Sequence, residues 1–388
     1  MEKENIFHIP QIKKRNARGK RFKWLATSAI VIAISFLVFF LFDIVKKGYP
    51  AFVHSYVSVE VHIDESVQQN PYGFLNQQER QIVSRSWLRS LPGQIRDNPE
   101  WIGEDKTFWV VTSAQVDQYL KGRDHRLSEP IMQMVDQMYA DGEIKRKFNS
   151  NFFTRGDSKI PENAGFLAAI VGSIFTIGVT MLLAVPIGIM TAIYLEEFAP
   201  DNKLTQFIEV NINNLAAIPS ILFGLLGLAI FINFFGIPRS SALVGGMTLA
   251  LMSLPIIIVS SKAALKAVPD SIRQAGFALG LTKWQVTRDH VLPLALPGML
   301  TGSIIALAQA IGETAPLIIV GMIAFVPDMP TSITSSATVM PAQIYTWAGM
   351  PELAYIEKTA AAIMVLLGVL LLLNTTAILL RKKFQKKW

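Results

Sequence analysis

The chain has 388 residues, 51% of them hydrophobic and only 17% charged, which is too apolar for an ordinary soluble protein. Lys and Arg exceed Asp and Glu by 36 to 29, and the excess gathers at the ends, in KKRNARGKRFK and RKKFQKK. Basic ends beside apolar spans hold topology and touch anionic lipid, which sets nucleic acid aside, and a chain without cysteine has no thiol catalysis or disulfides.

Six segments are apolar and long enough to cross a bilayer: 24–45, 165–195, 213–235, 242–260, 298–325 and 359–380. The basic tail 1–23 leads into 24–45, which reads as an uncleaved signal anchor because no small-x-small cleavage site follows it. An even number of crossings puts both ends on one side, and their Lys and Arg residues make that side the cytoplasm. The loop 196–212, with Glu196, Glu197, Asp201 and Glu209, runs against the rule, in which acidic residues count little.

Residues 46–163 differ in kind. They are polar, hold three of the seven tryptophans, and are predicted to form a periplasmic α/β domain. VSVEVHI at 57–63 alternates as a half-buried strand does, and TFWVV at 107–111 is a second strand. Helices are expected at 77–90, 113–121 and 130–140, with Ser113 capping the second and Pro130 opening the third. The turn TRGDSK at 154–159, with Arg155, Gly156, Ser158 and Lys159, has the composition of an oxyanion-binding turn, or more simply of a solvated one.

The polar insert 261–297 stands between two spans and is longer than a connection needs. Pro269, Asp270 and Ser271 suit a helix start, Ile272, Ala275, Gly276 and Leu279 form a narrow stripe, and Gly280 can end the helix left-handed. Thr282 and Gln285 read as a capping box for the next helix. Such a helix with a small-residue centre can seat closely in another protein's groove. Further along, Glu313 lies inside the otherwise uncharged 298–325, where a carboxylate is costly unless it faces water or a partner. It is a pathway or gating residue, or a helix–helix hydrogen-bond clamp near Pro316. Gly312, Thr314 and Ser220 stand with it as pathway candidates. Ser253, Thr301, Ser303 and Gln309 are further polar groups that could pass an oxyanion or merely bond their own helices. Gly224 and Gly227 read as close-packing positions. No Gly-rich loop ending in Gly-Lys-Ser/Thr is present, no His pair suggests a metal, and no cofactor is expected.

Gln274-Ala275-Gly276, Gly280 and Leu292-Pro293 stand at the spacing of the loop by which binding-protein-dependent ABC importer permeases dock on their ATPase, although Gln274 replaces the usual Glu and His290 the usual Ile. Gly-Glu-Thr-Ala-Pro at 312–316, NNLAAIPSILFGLLGLAIF and YLEEFAP narrow the resemblance to PstA-type permease subunits of bacterial phosphate importers, over about 165–380. The resemblance implies an all-α integral membrane protein of the type I ABC importer fold, with 164–380 as its permease domain and 381–388 as a second cytoplasmic tail. It implies inward phosphate transport across the bacterial inner membrane, with an ABC ATPase dimer, a second phosphate permease subunit and a periplasmic phosphate-binding protein as partners. The ATPase-coupling residues would be Gln274, Ala275, Gly276, Gly280, Leu292 and Pro293. A molybdate or sulfate permease is the nearest rival. A membrane-anchored sensor would need neither four further spans nor a docking insert, and a secondary transporter would show more buried charge and repeated halves.

Overall fold

The structure, a computed structural model, describes residues 10–384, so the outermost parts of both basic tails lie outside it. Helix α1 (Pro10–Gly48) runs unbroken through basic leader and apolar span, and the single turn Tyr49–Phe52 passes the chain to the inserted domain. There β1 (Val53–His62) is the central strand, antiparallel to β2 (Asp105–Val111) on one side and β3 (Ile144–Phe148) on the other. Alternation along β1 buries Val57, Val59 and Val61 against α2 (Arg85–Asp97), α3 (Ala114–Leu120) and α4 (Glu129–Ala140). The helix expected at 77–90 is divided. Glu79–Ile82 makes one turn, Val83 bridges to Thr112, and an extended Ser84 caps α2. Ser113 precedes α3 as expected, but its hydroxyl donates to the Gln81 carbonyl at 2.6 Å instead of capping.

Among the described residues five helices are long and apolar enough to cross a membrane, and a bent pair brings the number to six if it is counted as one span. α5 (Leu167–Ile193) presents Ala168, Gly172, Thr176, Thr180, Ala184, Gly188 and Ala192, a small residue every fourth position, as its buried stripe. That stripe lets α8 (Ala242–Lys266) approach closely; a Cβ on Gly246 would lie 2.7 Å from the Thr176 carbonyl. Thr180 fastens the contact by donating to the Gly246 carbonyl at 3.1 Å.

Two spans depart from expectation. The segment predicted at 213–235 is α6 (Lys203–Leu215) and α7 (Ser220–Gly227, continued as a π-helical turn through Phe234), bent by 105°. Pro219 has no N–H to continue α6 and biases Ile218 toward extended backbone, so the chain turns there. The span expected at 298–325 is α11 (Leu292–Gly312), which stops at Gly312 because the Pro316 ring would meet the Gly312 carbonyl in a continuous helix. The short α12 (Ala315–Ile319) follows. Two more helices complete the chain: α13 (Met340–Ala348), not anticipated from the sequence, and α14 (Ala354–Phe384), which extends the last span at both ends. Trp347 of α13 is buried among Phe152, Phe166 and Tyr355, and its indole donates to Asp157 at 2.8 Å.

Candidate functional site

Between α8 and α11 the insert folds as expected from its local signals. α9 (Asp270–Ala278) begins after an extended Pro269, and Gly280 takes φ +80°, a conformation an L side chain rarely adopts. Thr282 and Gln285 form the capping box that starts α10 (Lys283–Val286). The predicted stripe is divided between two faces. Ile272 and Gly276 turn inward, with Gly276 against Val286, while Ala275 and Leu279 turn out. The outward face shows Phe277, Leu279 and Trp284 at 48%, 80% and 55% exposure, beside exposed Gln274 and Gly280. Leu292 and Pro293 belong to the base, half-buried at the start of α11, where Pro293 helps line a groove of about 580 Å³ under α9.

One residue ties this insert to the membrane-crossing helices. Arg273 grips Glu197, at the end of the π-helical turn that closes α5, through Nη2–Oε1 at 2.7 Å and Nε–Oε2 at 3.4 Å. Its other donors reach the Leu265 and Val268 carbonyls at 3.0 and 2.8 Å and Asp270 at 3.1 Å. Those carbonyls end α8, so one guanidinium both caps a helix and fixes the insert to its neighbour. The hydrogen bond to Glu197 raises the guanidinium above its ordinary value, against the opposing effect of burial. Sequence reading missed it, because Arg273 and Glu197 lie far apart in the chain. The available signal was Glu197 itself, an acid in a loop expected to be basic.

The pathway candidates gather at a second place. α7 packs on α12, and Gly224, one turn beyond Ser220, faces Pro316 so closely that a Cβ would stand 2.7 Å from its Cα. Gly312, Glu313 and Thr314 form the break between α11 and α12 at this level, with Glu313 in extended backbone at φ −75°, ψ 128°. Glu313 is therefore at a helix end and not inside a continuous span. It is the C-cap of α11, at that helix's negative end, and its carboxylate takes part in no ion pair or side-chain hydrogen bond among the described residues. Thr301 and Ser303 donate to carbonyls one turn back on their own helix, Gln309 is exposed, and the buried Ser253 hydroxyl has no partner among the described residues.

The turn at 154–159 is neither free nor solvated through its middle. Gly156 packs on the Pro327 carbonyl, and buried Asp157 accepts from Trp347 and from the Ser158 N–H; only its ends, including Arg155 and Lys159, are exposed.

An apolar multi-crossing core with a helical insert that leaves an apolar face exposed fits a membrane transport component. Comparison with known proteins agrees. The family described as "Binding-protein-dependent transport system inner membrane component" matches residues 184–388, and a domain of unknown function matches 10–87 and 74–129. The probable ABC transporter permease protein YqgI of Bacillus subtilis is 32% identical, over 43% of this chain and 56% of its own length. The phosphate transport system permease protein PstA 1 of Mycobacterium tuberculosis is 31% identical, over 57% of this chain and 73% of its own. Among solved structures, an inward-facing MetNI methionine ABC transporter has 20% identity, covers 55% of this chain and 95% of that one, and gives a TM-score of 0.46. With more than half of its length matched by that family, the chain belongs to the inner-membrane components of binding-protein-dependent transport systems.

Proposed function

We propose that the chain is a transmembrane permease subunit of an ATP-driven importer of inorganic phosphate, forming half of the pore and coupling to a separate ATPase. The observation that carries this reading is the exposed apolar face of α9 and α10, braced by Arg273 against α5 and α8. Phosphate as cargo is supported by the likeness to PstA 1. In this reading an ABC ATPase dimer takes the insert. A second permease subunit closes the pore against the exposed apolar residues of α6 and α7, and a periplasmic phosphate-binding protein delivers cargo on the side of the inserted domain. Both termini are then cytoplasmic in a bacterial inner membrane, and the work comes from the ATPase.

Phe277→Asp and Leu279→Asp test the docking face. Both side chains are exposed in the free chain, so stability should move by at most about 0.5 kcal/mol. Loss of an apolar anchor of about 2 kcal/mol should cut ATPase co-purification and phosphate uptake about thirtyfold, with membrane levels unchanged. Wild-type retention and uptake would remove the docking assignment. A bulky residue at Gly276 would be a poor test, because it presses into Val286 and not outward. Parallel uptake assays with molybdate and sulfate separate phosphate from the other oxyanions.

Glu313→Gln tests the second site. The carboxylate lacks a partner in this chain among the described residues, so a clamp role leaves little to lose, about 1 kcal/mol at most. A gate that pairs with a cation in one conformation should shift its balance by ~2–3 kcal/mol, leaving a few per cent or less of the original ratio. Uptake should fall accordingly at normal membrane level, and undiminished uptake would make Glu313 a packing residue.

A further inference from the structure

A cleft of about 340 Å³ lies at the seam between the sheet of the inserted domain and the segment that leads into α5. Aromatic rings of Tyr56, Trp87, Phe108 and Trp109 line it beside Ser86, Asn151, Asn163 and Arg155. The charge within its lining has one sign. Arg155 is the only charged residue in the lining, and no carboxylate joins it. Lys147 Nζ stands 5.6 Å from the Tyr56 ring and 5.0 Å from the Trp109 ring, and Lys145 Nζ is 4.6 Å from Trp109. Buried Glu162 stands directly behind the lining, where it accepts the hydroxyl of the lining residue Ser84 at 2.8 Å.

The cleft also holds donors without acceptors. Asn163 is only 9% exposed; its Oδ1 accepts from Arg155 Nη1 at 3.1 Å, and its Nδ2 has no partner among the described residues. That bond is the one side-chain hydrogen bond of Arg155 among the described residues, so most of its five donors are open. Burial raises the Tyr56 phenol above its ordinary value, against the pull of Arg155, so it stays protonated as a further donor. A guanidinium, a buried amide N–H and a phenol, with two lysines outside the rings, suit an oxyanion. The aromatic walls leave room for an organic body attached to it.

We propose that this cleft binds a phosphate group, either as free phosphate or as the headgroup of an anionic phospholipid. The site belongs to the inserted domain and is separate from the break at Gly312–Thr314. It gives the domain a ligand of its own, sensed beside the segment that enters α5.

The test uses the purified full-length chain in nanodiscs, without an ATPase, so failure of the import reading would not affect it. Trp87 and Trp109 in the lining provide a fluorescence signal, assigned by its loss in Trp109→Phe. In phosphatidylcholine discs, inorganic phosphate is titrated; in a second arm, phosphatidylglycerol replaces part of the lipid and no phosphate is added. A saturable change is expected in one arm, and the arm identifies the source. Arg155→Gln should weaken it about ten- to hundredfold, Arg155→Lys less, and Asn163→Asp, which adds a negative charge, should remove it. Thermal unfolding shows which variants fold, and the three substitutions at two positions keep a folded reporter available. No saturable change in either arm, or a change insensitive to every folded variant, would overturn the proposal.

Discussion

Arg273→Leu is expected to cut transport tenfold or more while leaving the ATPase bound. The substitution removes all five of the side chain's hydrogen bonds and leaves Glu197, 7% exposed, without its cation. Stranding one partner of a buried pair costs about 3–5 kcal/mol. The apolar face of Phe277, Leu279 and Trp284 is untouched, so docking should persist. What is lost is the rigid link from that face to the ends of α5 and α8, and with it the transmission of ATPase motion. Phosphate uptake should fall tenfold or more, about 1.4 kcal/mol or greater in transport terms. Arg273→Lys should recover only part of it, because a point charge cannot reproduce the two-pronged grip on Glu197. Pairing Arg273→Met with Glu197→Met should restore thermal stability by removing the stranded carboxylate, yet uptake should stay low. Uptake, membrane level and ATPase retention are measured together. Normal uptake by Arg273→Leu would show that the insert needs no such brace.

The same pair marks where sequence reading reaches its limit. Local chemistry was legible. Gly280 announced a left-handed helix end, Thr282 and Gln285 a capping box, and apolar length five of the crossings, because each signal lies within a few residues of its effect. The bend at Pro219 and the stop at Gly312 were also written in prolines, but hydropathy averages over them and joins what they separate. β3 was hidden because four of its five residues, Lys145 to Phe148, are exposed at a sheet edge, where packing does not choose the side chain. Contacts across long stretches of chain, such as Arg273 on Glu197, have no periodic trace at all.

Glu357→Ala is expected to loosen the inserted domain from the membrane-crossing core. Glu357, 4% exposed in the first turn of α14, takes Lys121 Nζ at 2.7 Å and Gln118 Nε2 at 3.1 Å, with Arg123 Nε at 3.7 Å. Lys121 is also 2.6 Å from Asp117, which accepts from the Ser55 N–H at 2.9 Å and meets His54 at 3.1 Å. Arg123 completes the chain of charges by donating to the Lys46 and Lys47 carbonyls, so the last turn of α1 is capped from the same cluster. The network thus joins β1, α3, α1 and α14 in a nearly dry seam. Removing Glu357 leaves Lys121 with one carboxylate where it had two and Arg123 with none, for a loss of about 3–5 kcal/mol. Glu357→Gln should lose less, since the amide can still accept from Gln118. Acid should not remove the Asp117 part of this network early. Burial by itself would raise the Asp117 carboxyl, but the charges and hydrogen bonds of His54 and Lys121 outweigh it and hold it well below the ordinary range. Its contribution is therefore full above about 3.9, the unfolded value, and is lost only as pH falls below that through the lowered one. Thermal unfolding and limited proteolysis of the 121–128 loop are the measurements, at pH 7 and again near pH 5. Wild type should resist protease at both, and Glu357→Ala should be cut at both. Equal resistance in the variant would mean that apolar packing of Trp347 and Tyr355 alone holds the domain in place.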